Sequence, residues 1–281
     1  MRTRALCAIG FSLFFLGQGC AKEGPPKPAV SPAGGSSGEA QPQVISTFNL
    51  VGHTPTGRKK WEIQGETADL TAELVTLSPV TATNFGKVDV VLVANRGWFH
   101  RESRDIELEG DVIATTSDGA RLTTDTFQWN GQRETGVTRD WVTVTRPGMT
   151  ILGKGGITFP RIKRVRLERE VTVTLQGEKE KTFITCDGPM QVDYGSKKAR
   201  FWRNVRVRDA QGFLRSDRMD VRFHPSRNEV TQVRCWGHVE IYDRQKQRSA
   251  FSDRAQSWRD IGRTLLFGHP KLAMVSTDDQ R

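Results

Sequence analysis

From residue 88 onward, apolar and polar positions alternate in short runs: VDVVLVA (88–94), WVTVT (141–145), VTVTL (171–175), MQVDY (190–194), VRVRD (205–209), MDVRF (219–223) and VRCWGHVEIY (233–242). A period of two sends successive side chains to opposite faces of a strand. Turn signals at SDG (117–119), NG (130–131), RPG (146–148) and AQG (210–212) separate the runs at the spacing of antiparallel hairpins. No stretch carries the 3–4 spacing of an amphipathic helix, and RDIGRTLL (259–266) reads as a turn between strands. The pattern predicts a nearly all-β chain. In the last run Val233, Cys235, Gly237, Val239 and Ile241 share one face, and Arg234, His238 and Glu240 share the other. Ile184, Cys186, Met190, Val192 and Tyr194 follow the same rule. Such faces suit a closed, packed sandwich and an apolar slot equally well.

An internal repeat underlies the alternation. GDVIATTSDGARLTTDTFQW (110–129) aligns with RNVRVRDAQGFLRSDRMDVRF (203–223), placing Val112 on Val205, Gly119 on Gly212 and, after a one-residue gap, Asp125 on Asp217. GHVEIYDRQKQRSAFSDRAQSW (237–258) is a third copy with its own Ser-Asp. Each unit reads as strand, tight turn, strand, so stacking gives a closed barrel or an elongated open β structure.

This unit resembles the OstA-like β-jellyroll of lipopolysaccharide-export bridge proteins. FNLVGHTPTGRKKWEIQGETADL (48–70) is similar to the opening of the LptC family domain, through Phe48, Leu50, Gly57, Trp61 and Ala68. ANRGWFHRESRDIELEGDV (94–112) and residues 140–175, with Gly-x-Gly-Gly before a last strand, fit the strands that follow. Residues 183–275 resemble a second jellyroll of the LptA type. The resemblance implies two consecutive, open, V-shaped jellyrolls, over residues 45–177 and 178–281. Each would have one apolar face lining a slot. The implied function is non-catalytic: lipopolysaccharide accepted from an inner-membrane ABC transporter complex and passed along the slot towards the outer membrane. Slot residues would be Met190, Val192, Tyr194, Val205, Val207, Val233, Val239 and Ile241. A bridge protein of the same fold would dock by strand addition at a sheet edge, the last strand lying near Leu272–Val275.

The N-terminus changes the compartment. Arg2 and Arg4 precede the apolar run ALCAIGFSLFFLG (5–17), the length of a secretion signal and short for a membrane-spanning helix. Cys20 follows at a lipobox-like position, so residues 1–19 read as signal peptide and Cys20 as the lipidated residue, with an uncleaved anchor or plain cleavage as alternatives. Residues 20–44, rich in Pro, Gly, Ser and Ala, read as a flexible tether. Together they place the folded part in the periplasm, held at a membrane, the inner one by the resemblance.

Charge and chemistry narrow the function further. The formal net charge is +10, and thirteen Lys/Arg stand against six Asp/Glu between Arg161 and Arg208. Nucleic acid is an unsuitable partner for an exported chain, whereas an anionic glycolipid suits the same field. His53, His100, His224, His238 and His269 lack metal-ligand spacing, and no nucleophile elbow, HExxH or P-loop is present. Neither catalysis, metal nor cofactor is expected. Cys186 and Cys235 lie on apolar faces, where a disulfide and two buried free thiols are both open. The alternative function is an envelope scaffold lipoprotein gripping cell-wall polysaccharide through exposed Trp98, Trp202, Trp236 and Trp258.

Overall fold

The computed structural model describes residues 43–274, except 71–72, 87–88, 101, 160–162, 178–179, 225–229 and 259–260. Cys20, the signal, most of the tether and Val275 lie outside the described residues. All regular structure among the described residues is β. The first half comprises β1 (Gln43–His53), β2 (Lys59–Leu70), β3 (Leu74–Asn84), β4 (Val90–Ala94), β5 (Arg96–His100), β6 (Ile106–Thr116), β7 (Arg121–Asn130), β8 (Thr135–Arg146) and β9 (Met149–Phe159). The second comprises β10 (Arg164–Gln176), β11 (Lys181–Cys186), β12 (Met190–Asp193), β13 (Lys198–Arg208), β14 (Gly212–Phe223), β15 (Val230–Asp243), β16 (Arg248–Trp258), β17 (Arg263–Phe267) and β18 (Lys271–Met274).

Every pairing is antiparallel and joins strands next to each other in the chain or separated by one short strand, so the whole is one meander. Three lanes of the sheet are each filled by two short strands end to end: β4 with β5, β11 with β12, and β17 with β18. The sheet is continuous through the middle of the chain, because β10 pairs with β9 on one side and with β11 and β12 on the other. Gln176 pairs with Lys181 and the Gly177 N–H donates to the Glu180 carbonyl, so β10 and β11 are paired up to their connection.

The repeated sequence unit is a crease that crosses the sheet. In β6 the register slips between Glu109 and Val112, where Gly110 and Asp111 take φ of 80° and 48°. The same slip recurs at Arg203-Asn204 in β13 and at Gly237-His238 in β15, all at positive φ, and at Arg169–Thr172 in β10, where Glu170 has φ 53°. Gly268-His269, between β17 and β18, continues the line at φ 73° and 46°. Left-handed residues, two in succession in β6, β13 and β15 and one in β10, turn the strand and leave one residue unpaired, which is the geometry of a bulge. The residue after each slip points inward. Val112, Val171, Val205 and Val239 are 0–1% exposed and rank among the most completely buried side chains. On the intervening strands the crease carries Thr124-Asp125, Ser216-Asp217 and Ser252-Asp253. The Ser216 and Ser252 hydroxyls donate to the carbonyls of Arg218 and Arg254 at 3.1 and 3.0 Å, so these buried polar atoms stay satisfied. Side chains pair across the outer side: Asn95 donates to Asp111 (3.2 Å), and Asp217 and Asp253 contact His238 (2.8 Å) and His269 (3.1 Å). The Gly-Val and Ser-Asp positions legible in the repeat are thus the two sides of one fold line.

Inward residues form two buried clusters. One, under β3–β6, contains seven residues, among them Val75, Leu77, Leu92 and Leu108. The other, under β8–β16, contains fifteen, from Val142 to Ala255. They adjoin on β7, whose Leu122 packs on the second and Phe127 on the first. At about 1.5–3 kcal/mol for each large apolar side chain removed from water, this layer is what holds an otherwise two-sided sheet together. The outer lanes have a partner on one side only: β1 pairs with β2, and β17 and β18 pair with β16. The architecture is an all-β, open antiparallel structure consistent with a β-jellyroll.

Candidate functional site

The inner face of the second half gathers most of the residues that alternation singled out. Met190, Val205 and Val239 are fully buried in one cluster, and Val192, Val207, Val233 and Ile241 are half-buried against it. Tyr194 is half-buried at the end of the β12 lane, its N–H donating to the Lys163 carbonyl at 2.9 Å. Burial pushes its phenol above the ordinary range, with the Arg146 charge pulling the other way, so it stays a neutral hydroxyl. Cys186 and Cys235 are two separate buried thiols without a disulfide, on β11 and β15 with β13 and β14 between them. Burial raises both, Cys235 to about 12, which leaves them inert as nucleophiles.

The first half holds something alternation did not single out. Between its strands lies a narrow cleft of about 30 Å³, lined only by apolar surface, including Ile63, Leu77, Leu92, Phe99, Ile106 and Phe127. That is room for about one or two waters, so the interior is closed to anything larger until its walls part. Its signal in the sequence was the aromatic run Trp98-Phe99 facing Phe127 and Trp129 two strands away. Gly97 sits where a Cβ would meet Leu108 at 3.0 Å and Val80 at 3.1 Å, so glycine is what lets β5 close over this interior.

The outer face is cationic and aromatic in rows fixed by register. Trp202, Arg218, Trp236, Arg254 and Phe267 are successive cross-strand neighbours on β13 to β17. The Arg218 guanidinium lies 5.6 Å from the Trp202 ring and 5.0 Å from the Trp236 ring, and it pairs with Asp220 at 3.1 Å. These two tryptophans are therefore half-buried against arginine rather than standing free as a sugar platform. Trp98 lines the apolar cleft with Arg96 5.8 Å from its ring, and Trp258 is half-buried opposite Gln232. None of the four is an exposed large hydrophobic, because cross-strand neighbours cover them; the exposed tryptophan is Trp141, at 43%.

At the end of the chain, Leu272 and Met274 on β18 are 58% and 70% exposed, with Phe267 and Ile261 also bare. Among the described residues no set of three His, Cys, Asp or Glu could hold a metal ion, and no helix is long and apolar enough to cross a membrane. The described residues offer an apolar interior and an outer lane with bare apolar side chains.

Residues 40–176 match the family described as lipopolysaccharide-assembly, LptC-related. No curated protein sequence matches the chain.

Proposed function

Since residues 40–176 belong to the LptC-related family of lipopolysaccharide assembly, we propose that the chain is a non-catalytic periplasmic carrier whose apolar interior takes the acyl chains of lipopolysaccharide. It accepts them from an inner-membrane transporter complex and passes them towards the outer membrane. The observation that carries this reading is the apolar layer, which runs from the first cluster across β7 into the second beneath a sheet whose outer lanes are unpaired on one side. A closed barrel would have to break main-chain hydrogen bonds to admit an alkyl chain. An open sheet parts at its edges, exchanging side-chain contacts for acyl contacts of the same kind at small net cost.

The unit ending at residue 177 does the accepting, and residues 178–281 extend the conduit as a second jellyroll on the same sheet, through the β9–β10–β11 pairings. The β17–β18 lane takes the next bridge protein of the same fold by strand addition, its bare Leu272 and Met274 covered in the joint. A lipid on Cys20 with the 20–44 tether, or another N-terminal anchor, keeps the body near the inner membrane. Nothing in the folded part is asked to supply energy, which comes from the transporter.

The test uses detergent-solubilised full-length protein and purified lipopolysaccharide, with phosphatidylglycerol as the competing lipid. Saturable binding of lipopolysaccharide, weakened at least tenfold by Phe99→Asp in a variant that still melts cooperatively, is the expected result. Equal capture of both lipids, or undiminished capture by the folded variant, contradicts the reading. Ala273→Pro, which removes a potential main-chain donor from β18, is expected to weaken capture of the partner bridge protein and to leave lipid binding intact.

A further inference from the structure

The crease opens outward at one place, and the groups there differ from the rest of the surface. A trough of about 330 Å³ lies over β8–β13, with Trp141 and Leu152 at one end, Glu170 and Thr172 in the middle, and Thr185, Asp187, Asn204 and Arg206 at the other. It forms because neighbouring interruptions coincide: β8 slips between Thr138 and Trp141, β10 slips between Arg169 and Thr172, and the β11–β12 lane is broken at Asp187–Pro189. Where the other creases are filled by a side-chain pair reaching across, here Glu170 stands alone on β10. Its N–H donates to the Asp187 carbonyl at 3.2 Å, and its carboxylate has no hydrogen bond or ion pair among the described residues.

We propose that this trough binds a pyranose ring of an uncharged glycan, on a face distinct from the apolar interior and independent of the lipid-carrier reading. Trp141 is 43% exposed, and Lys154 lies 5.9 Å from its ring. A tryptophan held at the rim of a trough offers a flat apolar face with a polar handle, which suits the C–H face of a sugar ring. Leu152, 37% exposed and a lining residue of the same trough, extends that apolar patch. The opposite wall is made of planar hydrogen-bonding groups already held in place. Arg206 Nε donates to Asn204 Oδ1 at 3.2 Å, and Asn204 Nδ2 reaches Asp187 Oδ1 at 3.5 Å. The second Asp187 oxygen, the Glu170 carboxylate and the Thr172 and Thr185 hydroxyls face the same space, and carboxylates are acceptors matched to vicinal hydroxyl donors.

Charge decides against an anionic ligand. Two carboxylates line the trough with one arginine that is already engaged with Asn204, and Lys154 at the Trp141 rim brings the local balance to about neutral. In a chain of net charge +10 this is a locally neutral spot whose free groups are carboxylates, the wrong place to hold a phosphate. Its volume is at the small end of ligand sites, about 300–1,000 Å³, and fits one or two rings rather than a lipid.

Detergent-solubilised full-length protein is titrated with chitotetraose, maltotetraose and inorganic phosphate by calorimetry. At least one oligosaccharide is expected to bind with a Kd below a few millimolar. Trp141→Ala and Asp187→Ala should each weaken it at least tenfold while the melting transition and lipopolysaccharide binding are retained. Trp202→Ala, on the outer face but outside the trough, is the control and should leave sugar binding unchanged. Failure of both sugars to bind, undiminished binding by folded Trp141→Ala, or phosphate binding more tightly than either sugar overturns the proposal. None of these outcomes bears on acyl-chain capture by the interior.

Discussion

The interior under β3–β7 and the interior under β8–β16 are built from the same alternating strands yet filled differently. The second encloses fifteen buried residues with Val171, Val205 and Val239 at its crease, and its sulfur groups, Met190, Met219, Cys186 and Cys235, fill irregular space. The first encloses seven, and aromatic side chains that are only half-buried, Phe48, Phe99 and Phe127, complete it around a cleft. Close-packed cores resist deformation, whereas an interior completed by partly exposed rings opens at lower cost. On the proposed carrier role, the interior under β3–β7 is the part expected to yield first to a ligand, and the interior under β8–β16 the part expected to keep the sheet in register.

A buried charge is the strongest way to break that comparison. Val239→Asp places a carboxylate in the packed interior without a partner, a penalty of several kcal/mol, and is expected to abolish the cooperative unfolding transition. Phe99→Asp, at the rim of the cleft, should cost clearly less while removing lipid binding. A smaller denaturant-midpoint loss for Val239→Asp than for Phe99→Asp would reverse the assignment of the two interiors.

The crease gives a finer contrast. A Cβ at Gly237, φ 73°, would lie 2.1 Å from Asp217 Oδ2 and 2.9 Å from its Cβ; at Gly110, φ 80°, it would lie 2.7 Å from Asn95 Nδ2. Left-handed backbone alone costs roughly 1–2 kcal/mol for an alanine. Gly237→Ala is therefore expected to lose about 2–3 kcal/mol and Gly110→Ala about 1–2 kcal/mol, read from chemical denaturation. Equal losses would mean that strain, and not the acidic neighbour, sets the cost of the second-half corner.

The smallest effect is at the junction of the two interiors. Arg146, at the end of β8, holds Asp118 in the β6–β7 turn at 2.7 Å, with the two side chains 11% and 27% exposed. Partial burial raises the Asp118 carboxyl, but the Thr116 hydroxyl bond and the Arg146 charge outweigh it and hold the group below its ordinary value. A carboxyl depressed on folding contributes stability that is present above its unfolded pKa of about 4 and is lost as pH falls through the folded value. Arg146→Ala should thus lower the melting temperature at pH 7 by an amount worth less than about 1 kcal/mol, and the gap from wild type should shrink below pH 4. A gap constant down to pH 3 would show that the pair contributes packing rather than charge.

The sequence carried the faces and the repeat but not the crease. Val205 and Val239 were legible as inward because alternation survives each slip: the bulge adds one residue and the next resumes the inner side. Arg169-Glu170-Val171, the fourth corner, was missed, since neither glycine nor aspartate marks it. The cleft in the first half was missed too, because Trp98-Phe99 breaks strict alternation and its partners lie on β6 and β7. The tryptophans were read as exposed because a ring's burial depends on its cross-strand neighbours, Arg218 for Trp202 and Trp236, and register is not visible in one chain segment. Trp141, the exposed one, sits in an alternating run that by itself reads only as strand.

The central claim is that acyl chains run along the inner face. Photo-cross-linking amino acids placed in cells at Phe99, Ile106, Val192 and Ile241, and at the outward neighbours Glu107 and Arg234, test it most directly. Capture of lipopolysaccharide at the four inward positions, with Phe99 and Ile106 labelled most strongly, and none at Glu107 or Arg234, is the expected result. Capture at the outward positions, or its absence at Phe99 and Ile106 in a folded, expressed protein, would contradict the account.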